Sequence, residues 1–216
     1  MNKQGPGGIE WCDFSWNPIK GLCPEACWFC YARAMYRRFK MNPTLLLDPT
    51  ELLVRWPRPC RIFICSTMEL FHPDVPKEWR DCIFNVIRFA REHTFIILTK
   101  RPERIDRPMP DNVHLGVSVT CRADLWRIDA LSHCQTAVPF VSFEPLLEPV
   151  VPPNGIFSGL KWAVVGKLTG HGKKHDPARD DIALMLSGAK LFGVPVFMKQ
   201  NIASIWGGKL VQEYPI

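Results

Sequence analysis

Short, β-rich apolar runs recur along the chain, and each is followed by a polar or helix-patterned stretch. They occupy 61–65 (RIFIC), 94–98 (TFIIL), 114–119 (HLGVSV), 138–143 (VPFVSF), 161–165 (KWAVV) and 194–198 (VPVFM). Most are almost continuously hydrophobic, the pattern of strands buried on both faces of a parallel sheet. Between them apolar residues return at helical spacing. Trp79, Ile83, Val86, Ile87 and Ala90 follow Asp74 and an early proline, and Leu125, Ile128 and Leu131 recur within 123–131. A further helix is predicted over 180–192, closed by Gly193 at the C-cap. Asp48 and Glu51 have capping-box spacing ahead of Leu52, Leu53 and Val54, which predicts a helix start there.

Strand alternating with helix predicts βα units joined by right-handed crossovers. A barrel and an open doubly wound sheet both satisfy that pattern, and both place ligands at the carboxyl ends of the strands. The proline-rich stretch 148–154 and the glycine-lysine stretch 170–174 read as loops on the same domain. No repeat or interdomain linker is visible, so 1–216 is expected to be a single α/β domain, long enough for its own core.

Composition alters this picture in only two places. No apolar run approaches the ~18 residues of a membrane span, and the N-terminus lacks the apolar stretch of a signal peptide, so a cytoplasmic protein without membrane contact is expected. A formal net charge of +6 favours anionic partners such as nucleic acid or phosphorylated ligands.

Nine cysteines, odd in number and irregularly spaced, argue against a disulfide framework and for reduced thiols that bind metal. The sharpest local signal is Cys23-Pro-Glu-Ala-Cys27-Trp-Phe-Cys30. Three thiolates on one tight loop can ligate three irons of a cubane cluster and leave the fourth iron open to a cofactor. A structural zinc would ask for a fourth ligand, for which Cys12 or a distant His is available, but a second C-x-x-C is absent. Cys60, Cys65, Cys82, Cys121 and Cys134 show no ligand spacing. Cys65 falls in a strand run and Cys82 on an apolar helical face, where cysteines act as small buried hydrophobes. The alternative to an enzyme is a non-catalytic nucleic-acid-binding protein with a structural zinc or iron-sulfur site. Arg33, Arg37, Arg38 and Lys40 would then bind phosphate, and Tyr31 and Tyr36 would stack bases.

The spacing of the three cysteines, with aromatic Phe29 just before the last, resembles the radical S-adenosylmethionine (SAM) signature. The likeness extends to Ile9-Glu-Trp-Cys-Asp-Phe-Ser-Trp-Asn-Pro18, Ser66-Thr-Met-Glu-Leu-Phe-His72, Leu98-Thr-Lys-Arg-Pro-Glu-Arg104, Leu115-Gly-Val-Ser-Val119, Phe140-Val-Ser-Phe-Glu-Pro-Leu-Leu147 and Phe197-Met-Lys-Gln200. In order, and over nearly the whole chain, these blocks resemble a phage- and prokaryote-associated radical-SAM-like family of unknown function. The sequence departs from that pattern at four places. Gly166-Lys-Leu-Thr-Gly170 stands where the family usually has a Gly-Gly-Glu-Ser-Gly-like stretch, Thr120 where it has an acid, Cys12 where threonine is usual and Glu69 where aspartate is.

The resemblance implies a partial (β/α) TIM-like barrel of parallel strands and a 4Fe-4S cluster on Cys23, Cys27 and Cys30. It implies SAM as cofactor, a 5′-deoxyadenosyl radical that abstracts hydrogen from substrate, and a one-electron reductant such as flavodoxin or ferredoxin. The substrate is left open, with a nucleic acid or nucleotide as one candidate. Expected cofactor contacts are Phe29 and Gly166; Ser66, Thr67 and Glu69 toward the SAM ammonium; and Lys100 with Arg101 toward its carboxylate or a phosphate. Ser118 is expected at the ribose, Glu144 at ribose or substrate, and Lys199 with Gln200 closing the site. A charged residue after a strand can equally be solvated or a structural ion-pair partner. His72 and His114 are expected to be structural, and Trp11 and Trp16 to pack.

Overall fold

All six apolar runs form strands, in a mixed α/β architecture with eight of its ten described strands in a mostly parallel sheet. The computed structural model describes residues 1–5, 7–150 and 155–215, so 151–154 of the proline-rich stretch lie outside the described residues. The chain divides into two compact units, Met1–His114 and Leu115–Ile216.

The first unit contains β1 (Asn2–Lys3), β2 (Phe14–Trp16), β3 (Ile19–Lys20), α1 (Tyr31–Phe39), β4 (Leu46–Leu47), β5 (Arg61–Ile64), α2 (Lys77–Phe89) and β6 (Thr94–Thr99). β7 (Val113–Ser118) runs across the division. β2 lies parallel to β5 and β5 parallel to β6, with Trp16 opposite Ile64 and Ile64 opposite Ile97; β1 adds to β2 antiparallel. β3 and β4 form a separate antiparallel pair. The core follows from the apolar runs: Trp16, Ile62, Ile64, Phe95 and Ile97 are buried, and α2 adds Ile83, Phe84 and Ile87. The indole of Trp16 stacks edge-on against Trp56 and donates to the carbonyl of Glu51. α2 starts after Pro76, whose fixed φ suits a helix start, and Asn112 caps its far end by donating to the carbonyls of Ile87, Ala90 and His93.

Two expectations fail in this unit. The capping-box spacing at 48–51 yields only a 3-10 turn, Glu51–Leu53. The Asp48 carboxylate turns back onto the N–H and hydroxyl of Thr50, and Glu51 holds Lys20 and the N-terminal amine. Pro57 and Pro59 then bar further helix, and Leu53 is left 75% exposed. Cys82 is exposed and not on the apolar face of α2, because the core side of that helix is taken by Ile83, Phe84 and Ile87.

The second unit holds α3 (Trp126–Ser132), β8 (Val138–Phe143), β9 (Trp162–Val165), α4 (Arg179–Leu191), β10 (Val196–Met198) and α5 (Ala203–Trp206). β9 is parallel to both β8 and β10, with Phe143 opposite Val165 and Val165 opposite Met198. Gly116 on β7 has no room for a side chain, since a Cβ there would meet the ring of Phe140 at 2.3 Å. α4 buries Ile182, Met185 and Ala189 and ends at Leu191 with Phe192 as its C-cap, so Gly193 follows the cap by one residue and does not occupy it. Gly193 takes φ +65, and the following N–H of Val194 returns to the Ala189 carbonyl. These pairings establish a mostly parallel α/β sheet and stop short of barrel closure. Among the described residues no helix is long and apolar enough to cross a membrane.

Candidate functional site

In the first unit the chain between β3 and β4 carries the cysteine motif. Its geometry is set by residues that flank the thiols. Gly21 takes φ +107, and a Cβ there would lie 2.6 Å from the Thr44 carbonyl, so only glycine fits the start of the loop. Its N–H donates to the hydroxyl of buried Tyr36 on α1 at 2.9 Å, and Arg33 on the same helix donates to the Cys23 carbonyl at 3.0 Å. Ala26 turns the chain in the left-handed region at φ 54. The Cys30 N–H then closes onto the Cys27 carbonyl, and Cys30 sits at the N-cap of α1.

Cys23, Cys27 and Cys30 are all free and half-buried. Glu69 donates its N–H to Cys23 Sγ at 3.4 Å. Burial pushes the Cys23 thiol up, against the opposing N–H groups of Glu25 and Glu69; burial also raises Cys27, against the opposing charge of Lys100. Glu25 is tied to Arg101 by a 2.8 Å ion pair, which fixes the loop between the first two cysteines. Arg101 is thus engaged within the protein.

The end of β5 supplies the next polar group. Ser66 and Thr67 both donate to Asn17 Oδ1, at 3.1 and 3.4 Å, and Tyr31 donates to the Ser66 carbonyl at 3.0 Å. Glu69 is buried. Its Oε1 accepts the Thr99 hydroxyl at 2.6 Å and the Phe71 N–H at 3.2 Å, and its Oε2 accepts the Lys100 N–H at 2.8 Å. Burial raises its pKa, and these donors oppose the rise. The Lys100 ammonium makes no hydrogen bond or ion pair among the described residues, yet lies near enough to act on both Cys27 and Glu69. Phe29 is half-buried and meets Trp28 edge-on. Cys12 is buried, its thiol directed to the Ile9 carbonyl.

In the second unit the structure joins three of the expected residues at the ends of β8, β9 and β10. Lys199 pairs with Glu144 Oε1 at 2.7 Å, their side chains only 19% and 16% exposed. Buried Ser142 donates to Glu144 Oε2 at 3.1 Å. Gly166 leaves room for this pair, because a Cβ there would come within 2.9 Å of Glu144 Oε1 and 3.0 Å of Lys199 Cδ. Ser118 is buried, and its carbonyl accepts from Arg127. Thr120 bonds Asp124 Oδ2 through both its N–H and its hydroxyl, so an acid is supplied four residues further on. Lys167, in the divergent stretch, is paired with Asp176 at 2.8 Å.

Of the residues that carry the nucleic-acid alternative, Tyr36 and Arg33 brace the loop, while Arg37, Arg38 and Lys40 are exposed. His72 turns onto the N–H of Asp74, and burial lowers the pKa of His114. Asn17, Glu25 and Thr99 carry no signal of their own in the sequence, although all three lie within or beside the motif blocks, because their roles come from partners distant in the chain.

Among the described residues no three His, Cys, Asp or Glu side chains converge as a single metal ion requires. A cubane binds each thiolate to a different iron, so its ligands need not converge on one point. Three free thiols on one loop, one already receiving an N–H and another within reach of the Lys100 charge, match that donor set in chemistry. The profile of a family described as a protein of unknown function (DUF5131) matches residues 7–211. No curated protein and no solved structure matches the chain.

Proposed function

The chain belongs to DUF5131, a family of unknown function, and from that premise we propose that it is a radical SAM enzyme on a partial (β/α) barrel. The observation that supports this reading most is the thiol loop, with three free, half-buried cysteines braced by Arg33, Tyr36, Glu69 and the Glu25–Arg101 pair. Cys23, Cys27 and Cys30 would hold a 4Fe-4S cluster and leave one iron for SAM. When bound, the pair supplies one-electron cleavage of the sulfonium and a 5′-deoxyadenosyl radical for hydrogen abstraction, the electron coming from a donor such as flavodoxin or ferredoxin.

The protein's own residues hold and orient. The Glu69 N–H and the Lys100 charge favour the thiolates that a cluster requires, working against the burial that leaves both free thiols raised. Ser66 and Thr67, gripped by one Asn17 oxygen, present fixed hydroxyls, and Lys100 presents a cation for a carboxylate. Glu69 acts mainly by ordering the backbone of the two strand ends, since its carboxylate already takes three hydrogen bonds. In the second unit, Glu144 and Lys199 present an ion pair suited to sugar hydroxyls. Nine free cysteines suit a reducing compartment such as the cytoplasm.

The test is anaerobic reconstitution with iron and sulfide, followed by EPR of the reduced protein with and without SAM and an assay for 5′-deoxyadenosine. A cubane signal that changes on adding SAM, with cleavage lost in Cys27→Ala, is the expected result. A colourless protein retaining tightly bound zinc would overturn the reading.

A further inference from the structure

We propose that the outer surface of the thiol loop and α1 is a docking surface for single-stranded nucleic acid. Between 26 and 47 the chain carries Arg33, Arg37, Arg38 and Lys40 and not one Asp or Glu. Arg33 is engaged with the Cys23 carbonyl. Arg37, Arg38 and Lys40 are exposed, and none makes a side-chain hydrogen bond or ion pair among the described residues. These cations have no acid among them between Glu25, itself paired with Arg101, and Asp48, and such a run is complementary to a polyanion.

The same segment exposes flat rings. Trp28 and Tyr31 are each 59% exposed and Phe39 62%. These are not loose side chains. Trp28 rests edge-on against Phe29, the Tyr31 hydroxyl is anchored on the Ser66 carbonyl, and Phe39 lies under the Arg38 guanidinium at 5.3 Å. Rings held in place lose little freedom when a base stacks on them. Tyr31, Ala34 and Arg38 share one helix face at i, i+3 and i+7, so a ring, a small residue and a cation follow one another along a helix about 13 Å long.

Single strands offer unstacked bases to such rings, whereas a duplex keeps its base faces covered. A lipid surface would call for an apolar stripe along the helix. The outward positions of α1 are Tyr31, Ala34, Arg37, Arg38 and Phe39, where two cations separate the rings and break any apolar stripe, while the residues turned inward are Ala32 and Tyr36. An acidic protein would be served by the cations alone and would make no use of three ordered rings. For the enzyme reading this surface would place a strand beside the cysteines, but the binding itself requires neither iron nor SAM.

The experiment is fluorescence anisotropy of labelled single-stranded DNA and RNA of mixed sequence against the metal-free protein, at increasing salt. Binding is expected to weaken steeply with salt, and each of Arg37→Ala and Arg38→Ala is expected to lower the log–log slope by about one. Trp28→Ala is expected to weaken binding about tenfold, with Trp28→Phe largely restoring it, while thermal melting confirms that each variant is folded. Duplex of the same sequence should bind more weakly. Absence of binding, binding indifferent to removal of Trp28 and Phe39, or equal capture of polyglutamate, duplex or anionic vesicles would overturn the proposal. Because the readout is metal-free, its failure is distinct from a failure of the EPR experiment.

Discussion

The backbone N–H of Glu69 points at Cys23 Sγ from 3.4 Å, which fastens the segment after β5 directly to the first cysteine of the thiol loop. The fastening is rigid because the carboxylate of the same residue is buried and held by Thr99, Phe71 and Lys100.

Thr99→Val should therefore be costly. It leaves Oε1 of a buried carboxylate with one donor instead of two, which costs about 1–3 kcal/mol, and Thr99→Ser should recover most of it. The loss should also depend on pH. The folded pKa of Glu69 lies above its ordinary value, so its favourable contribution is present below that ordinary value and disappears as pH rises through the folded one. Removing a donor that favours the ionised form enlarges the deficit at neutral pH. Urea denaturation at mildly acidic and neutral pH checks both points; equal losses at the two pH values would contradict the account.

The Glu144–Lys199 pair should behave as a coupled unit. Lys199→Met strands a largely buried carboxylate and should cost about 2 kcal/mol, with Glu144→Gln/Lys199→Met costing less than the sum of the single changes. Gly166→Ala should disturb the same pair by crowding both partners, at about 1–3 kcal/mol. Additivity across the double-mutant cycle would show that the pair is not energetically coupled.

Acid should release a latch on α2. Arg107 lies 2.8 Å from Asp106 and also holds Asp81, and Arg80 reaches Asp106 at 3.1 Å. Hydrogen bonding from Arg107 lowers Asp106 to about 2. A carboxyl depressed on folding contributes stability above its ordinary value of 3.8, and that contribution fades as pH falls through about 2. Asp106→Asn should thus lower the melting temperature at neutral pH and make no difference in strong acid. A deficit that persists in strong acid would point to lost packing instead.

The cysteines should react in a defined order. Exposed Cys82 should be alkylated by iodoacetamide first, while Cys60, pushed up to about 11 by burial, and buried Cys65 should react last. Cys23 and Cys27 should fall between. Timed alkylation read by peptide mass spectrometry checks the order, and early labelling of Cys65 would contradict the burial described here.

The sheet was legible because its inner strands are long apolar runs, and β5 to β10 fall on the expected segments. β2 is not legible for a physical reason: Phe14, Ser15 and Trp16 are too few to show a period, and their burial comes from pairing with β5 far along the chain. The capping box misled because Asp48 and Glu51 found other partners, and Cys82 because one helix face was assigned one position too wide. At the sites, Glu144 and Lys199 stand out as strand-end residues inside blocks that share a known pattern, and Gly166 as the strand-end residue that opens the stretch departing from it. Asn17, Glu25 and Thr99 could not, since an acceptor shared by two hydroxyls or a buried carboxylate's donor leaves no spacing in the chain.

The paired strands β3 and β4 act as a neck beneath residues 21–45, and none of the parallel ladders passes through that excursion. A change in the loop therefore reaches the strand ends through discrete ties, the Glu69 N–H on Cys23, the Tyr31 hydroxyl on the Ser66 carbonyl and the Glu25–Arg101 pair, and leaves the ladder registers as they are.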